Sequence, residues 1–180
     1  MNKATEICFL DMDGVLANFN LSMSKLFNVS YSAMTQRQSW GIHQFVGITK
    51  MEMWALVDLA GKAFWANMEP YPWVPDLLLA IDKRFGLDHT YLLTDPGHST
   101  NSPSGKQEWV NTNLPEILHD NLIITQHKHL LAGANRVLID DRDKNCDQFI
   151  EACGGAIIFP QPWNRMRNVA VEAVIRDIGE

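Results

Sequence analysis

The chain has 180 residues, 46% of them hydrophobic, and a formal net charge of -6. That length suits one domain, with room for a small insertion and a proper core. The acidic balance argues against a nucleic-acid polymer as partner, and no apolar run approaches the length of a membrane span.

Ile7 to Leu10 is a short apolar run of the kind that makes a strand buried on both faces. Asp11 and Asp13 follow, and residues two apart in an extended chain point to the same side. Gly14 then lets the chain turn away. In open α/β sheets the carboxyl edge is where ligands bind, and an acidic pair there suits a hard cation such as Mg²⁺. Taken alone, the same residues are equally an ordinary solvated turn.

From residue 16 to 70 no good strand candidate occurs, but Phe19, Met23, Leu26 and Phe27 recur at helical spacing, as do Met51, Trp54, Leu56 and Val57. Trp40, Phe45, Trp54, Phe64 and Trp65 give this stretch a heavy aromatic load. Pro70, Pro72 and Pro75 punctuate the return. The pattern predicts a small helical cap over 16–70, inserted directly after the first strand, with residues 1–15 and 71–180 forming the core.

Beyond Trp73, helices and strands alternate. Val74, Leu77, Leu78 and Ile81 form a helix stripe ending near Gly86. Thr90 to Leu93 reads as a strand delivering Thr94 and Asp95. A polar loop from His98 to Gly105 leads to a short helix through Trp109 and Val110. Leu122 to Thr125 is a third strand, followed by His127-Lys128-His129. Val137 to Ile139 is a fourth, ending in Asp140-Asp141. A helix from about Lys144 to Cys153 precedes a fifth strand, Ala156 to Phe159, and the tail from Asn168 to Ile178 reads as a helix. This alternation predicts an α/β fold, a Rossmann-like parallel sheet with helices on both faces.

The three cysteines are widely spaced and make no disulfide framework; all three read as buried small hydrophobes. The amino terminus lacks the basic-then-apolar pattern of a signal peptide, so a cytoplasmic location is expected. The oligomeric state is open, a homodimer being compatible with the sequence.

In a parallel sheet the carboxyl ends share one edge, which brings Asp11, Asp13, Thr94, Lys128, Asp140 and Asp141 together. Each has a dull reading alone: a turn, a solvated lysine, a helix cap. Together they are the parts that phosphate-monoester hydrolysis needs. A carboxylate attacks phosphorus to give an aspartyl-phosphate, and a second carboxyl group protonates the leaving alkoxide and then activates water. A hydroxyl and an ammonium hold the phosphoryl oxygens, and further carboxylates hold a metal.

Asp11-Met-Asp13-Gly14-Val15, Thr94, Lys128 and Asp140-Asp141 resemble, in order, the four motifs of the haloacid-dehalogenase superfamily of phosphohydrolases. Within it the chain is most similar to the 5′(3′)-deoxyribonucleotidases, through residues 11–19, Phe64-Trp65, Glu69-Pro70-Tyr71-Pro72, Lys106 to Val110 and Leu138 to Arg142. The resemblance implies Asp11 as nucleophile and Asp13 as acid/base, with Mg²⁺ held by Asp11, the Asp13 carbonyl and the Asp140-Asp141 pair, Asp141 being favoured as the direct ligand. It implies a deoxynucleotide substrate whose base stacks on cap aromatics drawn from Phe19, Trp40, Trp54, Phe64 and Trp65. Lys106 is the alternative third-motif lysine or a second phosphate contact. The family's usual Ser after the second-motif Thr is Asp95 here, which must either point away from phosphate or bind something else. Two other readings stay open: another small phosphomonoester such as a sugar phosphate, or a non-catalytic nucleotide- or partner-binding domain.

Overall fold

Five short apolar runs become five parallel strands in the computed structural model, which describes residues 6–36 and 41–180. They are β1 (Ile7–Leu10), β2 (Thr90–Thr94), β3 (Leu122–Ile124), β4 (Arg136–Asp140) and β5 (Gly155–Ile158), in the spatial order β3-β2-β1-β4-β5. Side chains alternate across the sheet with period two. Cys8, Leu10, Leu92, Val137 and Ile139 enter one core cluster, packed with Leu77, Ile81, Trp109, Ile175 and Ile178. Phe9, Leu93 and Leu138 enter a second cluster with Phe149. The first cluster draws on α6 (Val74–Phe85), α7 (Ser102–Asn113) and α9 (Val171–Gly179), and the second on α8 (Asp143–Glu151). Helices therefore cover both faces, as the alternation predicts.

The outgoing connections of β1 and β4 diverge, β1 leading toward β2 and β4 toward β5. A crevice opens at such a switch point, outside the carboxyl ends of the strands. Asp11 and the Asp140-Asp141 pair sit at the two lips of that crevice.

Between β1 and α6 lie α1 (Phe19–Leu26), α2 (Tyr31–Thr35), α3 (Ile42–Val46), α4 (Lys50–Ala60) and α5 (Lys62–Ala66). The stretch leaves and re-enters through a short stem, in which Asn18 N–H donates to Glu69 O and Tyr71 N–H to Leu16 O. The Trp109 indole N–H donates to Met68 O at 2.7 Å and fastens the returning chain to α7. Helix α5 then packs on α7 with backbone-close contact: a Cβ at Gly105 would meet the Trp65 Cβ at 2.5 Å and the Lys62 carbonyl at 2.8 Å. Asp58 of α4 ties the same two regions together, its Oδ1 accepting from the Ser99 hydroxyl, Thr100 N–H and Asn101 Nδ2.

Several local expectations are corrected. In α4 the buried residues are Met53 and Val57, while Met51 and Leu56 are exposed. This helix is apolar nearly all round, so its spacing did not single out one face. Helix α7 begins at Ser102, inside the stretch expected to be a polar loop, because Pro103 suits a first turn that needs no N–H there. Helix α8 ends at Glu151, and Cys153 follows it at φ +67° on the surface, not buried like Cys8 and Cys146. Trp40 lies outside the described residues. Among those described, no helix is long and apolar enough to cross a membrane.

Candidate active site

Helix-free extended chain carries β1 one step past its end, where Asp11 N–H still bonds to Ile139 O. The chain then folds into a tight turn in which Leu16 and Ala17 N–H both reach Met12 O. Gly14 takes φ +90°, and a Cβ there would run into the Asp141 carboxylate. Both the left-handed backbone and the close approach require glycine.

Lys128, only 4% exposed, joins the two lips of the crevice. Its Nζ lies 2.6 Å from Asp11 Oδ1 and 2.6 Å from Asp140 Oδ2. It sits not at the end of β3 but in the 3-10 turn Lys128–Leu131 that follows. An ammonium has three N–H donors, so one remains for a ligand. Lys106 differs. Its Nζ donates to Asp13 Oδ2 at 2.7 Å, Thr94 Oγ1 at 2.6 Å and Asp95 O at 2.7 Å. All three donors are used and the side chain is fully buried. Lys106 therefore braces Asp13 and Thr94 and has no N–H left for a substrate, against the expectation of a phosphate contact. Thr94 is likewise fully buried and does not line the cleft.

The acidic pair divides its work. Both Asp140 oxygens are occupied, by Lys128, Arg142 N–H and Asn145 Nδ2. Asp141 Oδ2 accepts from the Trp163 indole at 2.7 Å, whereas Oδ1 is buried without a partner among the described residues. Asp13 Oδ1 is also buried and unpartnered. Oxygens of Asp11, Asp140 and Asp141 lie within 4.8 Å of one another. Orphaned carboxylate oxygens in an oxygen-only donor set fit a hard divalent cation such as Mg²⁺.

Electrostatics report the same strain. Burial raises the Asp11 carboxyl from 3.8 to about 7; Lys128 opposes this, and the neighbouring Asp140 and Asp13 charges add to it. Asp141 is pushed up by burial and then by Asp140 and Asp11. Burial would depress the Lys128 ammonium, but the Asp11 and Asp140 charges outweigh it and hold the group protonated.

Above this floor lies a cleft of about 330 Å³ whose lining includes Asp11, Asp13 and Lys128 below and Phe19, Trp54 and Trp65 above. The rings support one another. Trp54 stacks on Trp65 with centroids 6.4 Å apart, and Phe19 stacks on Trp65 at 5.7 Å. Phe64 meets Phe19 and Trp65 edge-on and does not line the cleft. The indole N–H groups of Trp54 and Trp65 are buried without a partner among the described residues. Asp95 lines the cleft too, with Oδ1 accepting from Gly97 N–H at 2.7 Å in a local turn.

Sequence reasoning missed Asn145, Gln161, Trp163 and Asn164. The last three lie in the loop after β5: Gln161 Nε2 donates to Gly14 O, and Asn164 Nδ2 to Asp141 O and Phe159 O. The signal available was their position, just past a strand end on the same sheet edge.

Comparison with known proteins agrees with this geometry. The family model described as 5′ nucleotidase, deoxy (Pyrimidine), cytosolic type C protein matches residues 5–174. None of the curated proteins compared with the chain matches it. Among solved structures, one assigned as a phosphoglycolate phosphatase from Lactobacillus delbrueckii subsp. bulgaricus is 12% identical with a TM-score of 0.61, covering 97% of this chain and 99% of that one. A haloacid-dehalogenase-like family hydrolase from Xanthomonas campestris is 13% identical with a TM-score of 0.51, covering 99% and 95%. A protein from Bacillus subtilis assigned to the same hydrolases, solved bound to magnesium, is 12% identical with a TM-score of 0.53, covering 87% of each chain.

Proposed function

The chain belongs to the cytosolic type C 5′-nucleotidase family, and we propose that it is a Mg²⁺-dependent 5′(3′)-deoxyribonucleotidase. It is a phosphomonoester hydrolase of the haloacid-dehalogenase type. The observation that carries the finer reading is Lys128 bridging Asp11 and Asp140 beside the orphaned Asp141 Oδ1, directly under an aromatic wall.

In this reading residues 16–70 act as a cap over a core of 1–15 and 71–180. Asp11 attacks phosphorus and carries the phosphoryl group as an aspartyl-phosphate. Lys128 uses its remaining N–H on a phosphoryl oxygen as charge develops. Asp13, braced by Lys106, gives its proton to the leaving alkoxide and later takes one from the attacking water. Asp11, Asp141 and the Asp13 carbonyl would hold Mg²⁺, with Asp140 positioning Lys128. Bound there, the cation neutralises the repulsion between the nucleophile and the phosphate. Trp54 offers a face on which a base stacks, which supplies affinity more than base identity, while the fully buried Trp65 backs it from behind.

The test is phosphate release from ribo- and deoxyribonucleoside monophosphates and sugar phosphates, with and without Mg²⁺. Deoxyribonucleotides are expected to be preferred by about ten- to a hundredfold, the cost of leaving a 2′-hydroxyl unpaired against an apolar wall. Asp95 on the cleft wall favours a second reading, because a carboxylate there accepts from sugar hydroxyls. If a sugar phosphate is cleaved and nucleotides are ignored, that reading replaces the first.

A further inference from the structure

The loop after β5 comes back over the two acidic turns and touches both. Gln161 Nε2 donates to the carbonyl of Gly14, which itself packs against the Asp141 carboxylate. Asn164 Nδ2 donates to the Asp141 carbonyl at 2.8 Å and to Phe159 O at 2.7 Å. Trp163, between them, donates its indole N–H to Asp141 Oδ2 at 2.7 Å. The backbone of Asp141 is thus fixed by Asn164, and its side chain is fixed by Trp163.

A buried carboxylate with one free rotation can present either oxygen, or both, to a cation. At Asp141 the indole occupies Oδ2, and Gly14 closes the space beside the carboxylate. What remains without a partner is Oδ1. A hydrogen bond to the outer atom of a ligand fixes its orientation, and removing such a donor costs metal affinity even though it never touches the metal.

We propose that Trp163 is a positioning residue for the cation site, holding Asp141 Oδ2 so that Oδ1 is the single oxygen offered as ligand. The proposal rests on the phosphohydrolase reading of the same site, but its test needs no turnover. Trp163→Phe keeps an aromatic ring and removes the N–H. Its Mg²⁺ dissociation constant, measured by calorimetry without substrate, is expected to rise about 10- to 100-fold. Arg165→Ala, in the same loop, is the control: it breaks the exposed pairing with Asp143 and Asp147 of α8 and removes no donor to the Asp141 carboxylate. It is expected to bind Mg²⁺ like the wild type.

A second measurement uses the wild-type protein alone. In ¹H–¹⁵N spectra the Trp163 indole resonance is expected to move on adding Mg²⁺, while that of Trp109, held by the Met68 carbonyl, stays in place. An unchanged Mg²⁺ constant in Trp163→Phe, or an equal loss in Arg165→Ala, overturns the positioning role. So does a Trp163 resonance indifferent to Mg²⁺. A wild type that binds no Mg²⁺ overturns the metal-dependent reading itself, a result distinct from the other three.

Discussion

On the floor of the cleft the acidic side chains are held by named donors, and among the described residues Asp13 Oδ1 and Asp141 Oδ1 are buried there without one. The aromatic roof is built the other way, from rings that touch one another and two indole N–H groups without a hydrogen-bond partner among the described residues. A densely hydrogen-bonded polar network holds its atoms to tenths of an ångström, as group transfer requires. Stacked rings tolerate sliding. In the proposed reading, chemistry is fixed by the floor, and choice of substrate is left to the roof.

Under the proposed mechanism the floor breaks most completely at Asp11. Asp11→Asn would remove both the attacking oxygen and a cation ligand, and activity is expected to fall roughly 10⁴-fold or more with the fold intact. Phosphate release from the purified variant, with circular dichroism as the control, reads this directly. Asp13→Asn comes next, at about 10²–10⁴-fold, the range of a positioned acid/base. A p-nitrophenolate leaving group needs less protonation than an alkoxide, so its first step should suffer less. Equal losses for both, with the first step limiting each, would remove Asp13 from the proton-donor role.

The two lysines sharpen the floor further. Lys128→Gln should abolish inhibition by inorganic phosphate, because it removes the N–H left for a ligand. Lys106→Gln should keep that inhibition while lowering kcat, because Lys106 serves Asp13 and Thr94. It should also cost about 3–5 kcal/mol of stability, since a buried pair loses one partner. Phosphate inhibition that follows Lys106 instead would move the phosphate contact to that residue.

At the roof, Trp54→Ala should raise KM for nucleotides by roughly five- to a hundredfold, the range of about 1–3 kcal/mol for one base stack, and spare p-nitrophenyl phosphate. Phe64→Ala should lower the melting temperature without changing the KM ratio, because that ring buttresses Phe19 and Trp65 from outside the cleft. If both variants harm both substrates alike, the roof is packing and nothing more.

Floor and roof were also unequally legible. Asp11, Asp13, Asp140 and Asp141 could be found from sequence because apolar strands announce their own ends, and a parallel sheet gathers those ends. Lys128 sits in a 3-10 turn beyond β3, so spacing alone kept Lys106 open as the alternative to it; the count of occupied N–H donors favours Lys128. The aromatics of α1, α4 and α5 were visible as composition. Which rings line the cleft depends on how those helices lean on α7, and no local pattern encodes that. The loop from Gln161 to Asn164 was illegible for the same reason, its partners lying 22 or more residues away at Asp141 and Gly14.

The smallest expected effect bears on why the floor leaves two oxygens unpaired. Asp11 has its carboxyl pKa raised to about 7, and Asp141 is raised as well, both chiefly by burial. A carboxyl group with a raised folded-state pKa holds its proton more tightly folded than unfolded. Its contribution to stability is present below about pH 4, the unfolded value, and is lost as pH rises to about 7. Metal-free protein should therefore melt lower at pH 8 than at pH 5. A divalent cation competes for the same oxygens as those protons, so its stabilisation should grow over the same interval. At Mg²⁺ about ten times its dissociation constant the gain is about 1.4 kcal/mol, or about 3–6 °C for a domain of this size. Melting curves at pH 5 and pH 8, with and without Mg²⁺, measure it. A Mg²⁺ shift of equal size at both pH values would mean that Asp11 and Asp141 are already charged at pH 5, and the floor would then be balanced by Lys128 without the cation.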